Sequence, residues 1–230
     1  MSKLILWDID GTLLSIGYLG AEVFDRAFVA ALGIKPPSRV KMSGKTDPQI
    51  VSEYLDMLGF DKSDYPKTIE AVLASLQHEL AMASDEIKEA ASLKVNAREI
   101  LEYFAGEEEI IQTVLTGNII QNAKLKLELF SLLSYFDFDC GAFGSDDIDR
   151  TKLVTVAAER VYAKHNIRPE AKNTWIIGDS PNDFACARAS GIRCILVATG
   201  RFDYDELSLL GADLVCHDLS DQEISDFVTA

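Results

Sequence analysis

Five short apolar runs punctuate the chain: residues 4–7 (LILW), 109–115 (EIIQTVL), 174–177 (TWII), 194–197 (CILV) and 212–215 (ADLV). Runs this short, with little polar alternation, predict strands buried on both faces. Between and after them lie amphipathic segments at about 119–134, 151–165, 181–190 and 220–228. Alternation of this kind predicts an α/β fold with a parallel sheet covered by helices on both sides. Ligands in such folds bind beyond the carboxyl ends of the strands.

Residues 15–90 break the alternation. Apolar positions recur at helical spacing from Leu19 to Leu32, and Gly33 ends that pattern as a C′ glycine. After a loop, Lys35-Pro36-Pro37-Ser38, a second helix is predicted over residues 47–58, N-capped near Thr46. A third is predicted over residues 66–83. A helical block placed just after the first strand suits a lid that excludes water and selects the substrate. The Glu107-Glu108-Glu109 run reads as a solvated turn. There is no internal repeat and no low-complexity tract.

Composition narrows the class. With 230 residues, 48% hydrophobic and 26% charged, the chain suits one large domain or a core with an insert. No segment approaches a membrane span, and Lys3 leads directly into the first strand without a signal peptide, so no membrane association is expected. Cys140, Cys186, Cys194 and Cys216 have no zinc-like spacing and read as reduced packing residues, which predicts a cytoplasmic protein. A net charge of −15 argues against a nucleic-acid partner but leaves room for a small anion held by a metal and local cations. His78, His165 and His217 lie far from one another and from the motifs below.

The chemistry begins at Trp7-Asp8-Ile9-Asp10-Gly11-Thr12, two carboxylates following an apolar strand, then a turn glycine. Carboxylates that converge repel one another and call for a cation, and oxygen ligands of this kind suit Mg²⁺. Leu115-Thr116-Gly117-Asn118 closes another strand with a hydroxyl and exposed amides able to hold phosphoryl oxygens, though Thr-Gly-Asn is also a common turn. Gly178-Asp179-Ser180-Pro181-Asn182-Asp183 closes a third. Asp179 is expected to complete the metal site, with Asp183 a second carboxylate beside it or an outer partner. Asp179 also reads as a helix N-cap with Asp183 in the first turn, and the two roles are compatible.

Together these three motifs resemble the haloacid dehalogenase superfamily, over the chain from Lys3 to about residue 217. The resemblance implies a Rossmann-like parallel-sheet core, residues 1–14 and 91–230, with an inserted α-helical cap domain, residues 15–90. Residues 44–47 (GKTD), 116–118, 123–127 (AKLKL) and 141–146 (GAFGSD) look like blocks of the phosphoglycolate phosphatase-like branch. The resemblance makes Asp8 the nucleophile, Asp10 the general acid and base, and Thr116, Gly117 and Asn118 the phosphate-binding residues. It gives Mg²⁺ to Asp8, Asp179 and, through its main chain, Asp10. A carboxylate at position 10 favours ester hydrolysis over halide release, which needs no proton.

One motif departs from the family pattern. The expected lysine–proline pair is replaced by Asp147-Ile148-Asp149-Arg150-Thr151-Lys152-Leu153. Lys152 is the first choice for the cation that neutralises nucleophile and phosphate, and Arg150 the second. Lys45, in a loop between two cap helices, is a candidate for reaching the substrate's phosphate or carboxylate, whereas Thr46 and Asp47 serve equally well as helix caps. The expected activity is Mg²⁺-dependent phosphomonoester hydrolysis on a small anionic phosphorylated metabolite, 2-phosphoglycolate foremost, by a monomer or homodimer. A phosphosugar mutase and a nucleotide or pyrophosphate hydrolase are the alternatives, and a non-catalytic domain is disfavoured because all three key aspartates are present.

Overall fold

The computed structural model describes residues 2–230. Its strands are β1 (Lys3–Trp7), β2 (Leu14–Ser15), β3 (Ser92–Leu93), β4 (Ile110–Val114), β5 (Thr174–Gly178), β6 (Arg193–Val197) and β7 (Leu214–Cys216). Five of them form one sheet in the order β4-β1-β5-β6-β7, every pair parallel. β1 is flanked by β4 on one side and β5 on the other, so the strand order reverses direction beside it. The register puts Trp7 level with Val114 and with Ile177. Residues 8, 115–118 and 178–179 therefore leave the sheet side by side at its carboxyl edge, the crevice where such sheets bind ligands.

The unbroken apolar composition of β1 follows from burial on both faces. Ile5 and Trp7 belong to one core with Ile100, Leu101, Phe104, Leu127 and Ile224, whereas Leu4 and Leu6 belong to another with Leu153, Ala157, Val161 and Ala187. The helices supplying these faces are, besides four in the helical block at residues 19–90, α5 (Ala97–Ala105), α6 (Ile120–Leu129), α7 (Leu153–His165), α8 (Pro181–Ser190), the short α9 (Tyr204–Ser208) and α10 (Gln222–Thr229).

That block comprises α1 (Leu19–Leu32), α2 (Asp47–Leu58), α3 (Tyr65–Met82) and α4 (Ser84–Ala90). Gly33 ends α1 at φ 69°, and the Thr46 hydroxyl accepts the Gln49 N–H to cap α2. The chain enters and leaves the block through an antiparallel ribbon, Leu14 opposite Leu93 and Ser15 opposite Ser92. The apolar faces of α1, α2 and α3 are continuous with the core that holds Trp7.

Several elements differ from the sequence expectation. The segment predicted over 119–134 stops at Leu129, because the chain turns through Ser131 at φ 55° before a 3₁₀ turn at Leu133–Tyr135. The segment predicted from 151 starts with a 3₁₀ turn, Arg150–Lys152, ahead of α7. α4, α5 and α9 have at most nine residues, too short for periodicity to stand out. All four cysteines are buried and unpaired, and no described helix is long and apolar enough to cross a membrane.

Phe104 is fully buried, its ring centroid 6.4 Å from that of Trp7. Phe104→Ala should cost about 3–5 kcal/mol of stability by opening a cavity beneath β1. Urea unfolding should register this as a lower midpoint at an unchanged slope, and an unmoved midpoint would contradict the packing described.

Candidate active site

The turn after β1 is built around Asp179. Gly11 adopts φ +94°, and a methyl group there would lie 2.5 Å from Asp179 Oδ2, so only glycine lets the turn pass this close. Thr12 donates toward both acids, at 3.5 Å to Asp8 Oδ2 and 3.4 Å to Asp179 Oδ1. Thr199 ties down the turn by donating to the Gly11 carbonyl at 2.6 Å. Asp8 begins past the end of β1, its N–H bonded to the Ile177 carbonyl.

Asp8, Asp179 and Asp183 are all buried, and each offers a carboxylate oxygen within 4.8 Å of the others. One guanidinium faces this charge. Arg150 Nη2 donates to Asp8 Oδ1 at 2.7 Å and to Asp183 Oδ1 at 2.5 Å. Burial raises the Asp8 carboxyl well above the usual range; Arg150 pulls it down, and Asp183 and Asp10 add to the rise. Burial likewise raises Asp179, reinforced by Asp8 and Asp183. Burial disfavours the charge on Arg150, but Asp183 and Asp8 outweigh it and hold the guanidinium firmly protonated.

Three buried carboxylates against one cation leave an unmet demand for positive charge, and an all-oxygen donor set suits a hard divalent ion such as Mg²⁺. Asp183 is the least available of the three: its Oδ2 accepts the Ser180 N–H and hydroxyl in the capping box that starts α8, and its Oδ1 takes Arg150. This suits a supporting position behind the ion. A second potential ligand group, Asp137, Cys140 and His165, is of another kind. There Lys164 and His165 each approach Asp137 to 2.6 Å, so its charge is already answered.

Asp10 has a different environment from Asp8. Its side chain is 39% exposed, and Oδ2 accepts from Lys126 Nζ at 2.6 Å and Asn118 Nδ2 at 2.7 Å. Asn118 is thus a clamp: its amide nitrogen also reaches Thr116 Oγ1 at 2.8 Å, and its amide oxygen accepts from Lys126 at 2.7 Å. Thr116 Oγ1 accepts twice from Asn118, which leaves its own hydroxyl hydrogen to donate elsewhere.

The helical block sits directly on this loop. Asp47 N–H donates to the Gly117 carbonyl at 2.7 Å, and Asp47 Oδ2 accepts the Ile119 N–H at 2.8 Å. Thr46 Oγ1 donates to the Ile148 carbonyl, and Asn182 donates to the Ser43 carbonyl. A methyl on Gly117 would stand 1.9 Å from the Lys45 carbonyl, and one on Gly144 would stand 2.0 Å from the Gly117 carbonyl. Three stretches of bare main chain therefore touch in a stack. Beneath the block lies a cavity of about 250 Å³, with Asp8, Asp10, Thr116, Asn118, Lys126 and Arg150 on its core side.

The two candidate cations part company. Arg150 is turned inward and buried, whereas Lys152 is 62% exposed and points to Asp147, outside the cavity lining. Of the two, only Arg150, the second choice from sequence, reaches the carboxylates. The cause is the 3₁₀ turn, where Asp149 accepts the N–H and hydroxyl of Thr151 and so swings the residues on either side of Thr151 apart. Lys45 lines the cavity, but its ammonium is engaged by Glu53. Lys126 was not singled out from sequence. Its signal is a lysine in the apolar stripe of α6 between Ala123 and Leu127, where a charge has no place unless it is paired.

Comparison with known proteins agrees with this architecture. The family model described as haloacid dehalogenase-like hydrolase matches residues 5–197. A predicted phosphatase from Clostridium acetobutylicum superposes with a TM-score of 0.71 at 17% identity over 100% of both chains. CbbY from Rhodobacter sphaeroides, in complex with xylulose-(1,5)bisphosphate, gives 0.70 at 18% identity over 96% of both. A predicted phosphoglycolate phosphatase from Haemophilus somnus gives 0.67 at 18% over 97% of this chain and 98% of that one. At these identities the likeness speaks for the fold. The curated proteins contain no match.

Asp47 makes the docking of the block sensitive to pH. Burial, opposed by Lys126 and the Ile119 N–H, pushes its carboxyl up to about 6 from an ordinary 3.8. Folding takes up a proton between these values, so this contribution to stability is full below 3.8 and lost as the pH rises through about 6. Asp47→Asn keeps an acceptor for Ile119 but abolishes the titration. Its Tm relative to wild type should rise between pH 5 and pH 7.5. A pH-independent difference would rule this account out.

Proposed function

The chain belongs to the haloacid dehalogenase-like hydrolase family, and from that premise we propose that it is a Mg²⁺-dependent phosphatase of small phosphomonoesters. One observation carries the reading: two carboxylates two residues apart reach one cavity in opposite environments. Asp8 is buried and held by a guanidinium, whereas Asp10 is partly exposed and clamped by an amide and an ammonium. That division suits a nucleophile and a proton carrier.

Asp8 attacks phosphorus, and the bond to the ester oxygen breaks as the aspartyl-phosphate forms. Arg150 orients the carboxylate through Oδ1, while Oδ2 has only a long contact with Thr12. Asp10 gives its proton to the departing alkoxide, then takes one from the water that attacks phosphorus and frees Asp8. Lys126 and Asn118 hold Asp10 in position for both transfers. The Thr116 hydroxyl and the main-chain amide of Gly117 are the donors for the phosphoryl oxygens, and Asn118 holds the Thr116 oxygen in place. Asp8 and Asp179 would bind Mg²⁺ with the Asp10 main-chain carbonyl, Asp183 standing behind them. When bound, the ion neutralises charge on the phosphoryl group.

The substrate is a small phosphorylated metabolite, in keeping with a cavity of about 250 Å³; the ligand in the CbbY complex shares the phosphate but carries a second one. Resemblance nominates 2-phosphoglycolate.

Phosphate release from p-nitrophenyl phosphate with Mg²⁺, abolished by EDTA, is the expected activity. Asp8→Asn should remove it, and Asp10→Asn should lower kcat by about 10²–10⁴-fold. Arg150→Ala should lower it by about 10²-fold or more, against no more than about twofold for the surface change Lys152→Ala. An active Asp8→Asn protein would refute the nucleophile, and equal losses at 150 and 152 would refute the role given to Arg150.

A further inference from the structure

Each cation lining the cavity is already answered by a carboxylate. Arg150 is on Asp8 and Asp183, and Lys126 is on Asp10, with the buried Asp47 carboxylate close enough to offset it while Asp10 holds its proton. Lys45 Nζ lies 2.7 and 2.5 Å from the two oxygens of Glu53. Gln49 donates to the same carboxylate at 3.2 Å, fixing Glu53 one turn along α2. On the acidic side, Asp8, Asp10 and Asp47 line the cavity, with Asp179 and Asp183 packed behind. The remaining wall is small and mostly apolar: Gly17, Gly20, Ala21, Phe24, Met42 and Ile50.

A divalent cation and a phosphoryl dianion largely cancel one another. The leaving group then faces an acidic surplus and an apolar wall. A second carboxylate or phosphate there meets no unpaired cation among the described residues, and burying an unpaired charge is strongly unfavourable. An uncharged group carries no such penalty.

We propose, building on the phosphatase reading, that the leaving alcohol is small and uncharged. Glu53 sets this preference by holding the Lys45 ammonium that a second anionic group would require. Specificity is therefore written in a pair of side chains on the helical block, one lining the cavity and one beside it. The pair places 2-phosphoglycolate below its uncharged analogues, against the resemblance. It also makes Glu53 a specificity-determining residue that takes no part in the chemistry.

The probes are 2-phosphoglycolate and 2-phosphoglycolamide, nearly the same shape and differing by one charge. They are compared with Mg²⁺ at pH 7.5 in wild type, Glu53→Gln and the double variant Lys45→Met/Glu53→Gln. Wild type should favour the amide in kcat/KM by about tenfold or more. Glu53→Gln should shrink or invert that ratio through a lower KM for 2-phosphoglycolate, a gain that misfolding cannot produce. The double variant should lose the gain. A wild-type preference for 2-phosphoglycolate would overturn the inference and leave the phosphatase reading standing. An amide preference that Glu53→Gln leaves unmoved would overturn the role of Glu53. No phosphate release from either ester or from p-nitrophenyl phosphate would overturn the phosphatase reading, and this inference with it.

Discussion

The contact between Arg150 and the paired carboxylates of Asp8 and Asp183 is the constraint around which the rest is arranged. Burying several acids at one sheet edge is unfavourable unless charge is returned to them. A single guanidinium returns part of it, and the two hydrogens on its Nη2 serve two acids at once. The parallel register sets the acids side by side, the 3₁₀ turn before α7 aims the guanidinium, and the capping box of α8 fixes Asp183. The remaining deficit suits the site to a hard cation.

Much of this was legible in the sequence because it depends on local rules. A buried parallel strand must be apolar throughout, so β1, β5 and β6 stood out, and acids immediately after such strands must lie at the carboxyl edge. What could not be read depends on side-chain direction or distant pairing. Arg150 and Lys152 are two residues apart, and only the turn held by Asp149 decides which faces inward. Lys126 meets Asp10 across 116 positions. The sequence pairs Asp8 and Asp10 as converging carboxylates, yet β1 ends at Trp7 and the two acids come to serve different surroundings. Likewise α5 has nine residues, with a left-handed Asn96 before it and no side-chain cap to announce it.

The helical block adds a second layer. It closes the cavity over the acids and carries Lys45 and Glu53, whose mutual neutralisation removes a cation from the space a substrate would occupy. The core carries the clustered acids, and the block carries a cation and the carboxylate that neutralises it.

The stack formed by Lys45, Gly117 and Gly144 has a consequence for how such a molecule can change over time. The close contact there is made by main-chain atoms, with no side chain intervening. Residues facing the cavity from α1, and Ile50 of α2, can be exchanged without disturbing this main-chain contact, whereas Asp47 both lines the cavity and docks the block. The glycines hold that seat constant while the lining drifts. A lineage built on this arrangement could acquire new substrates by small steps, each one leaving the seat of the block intact.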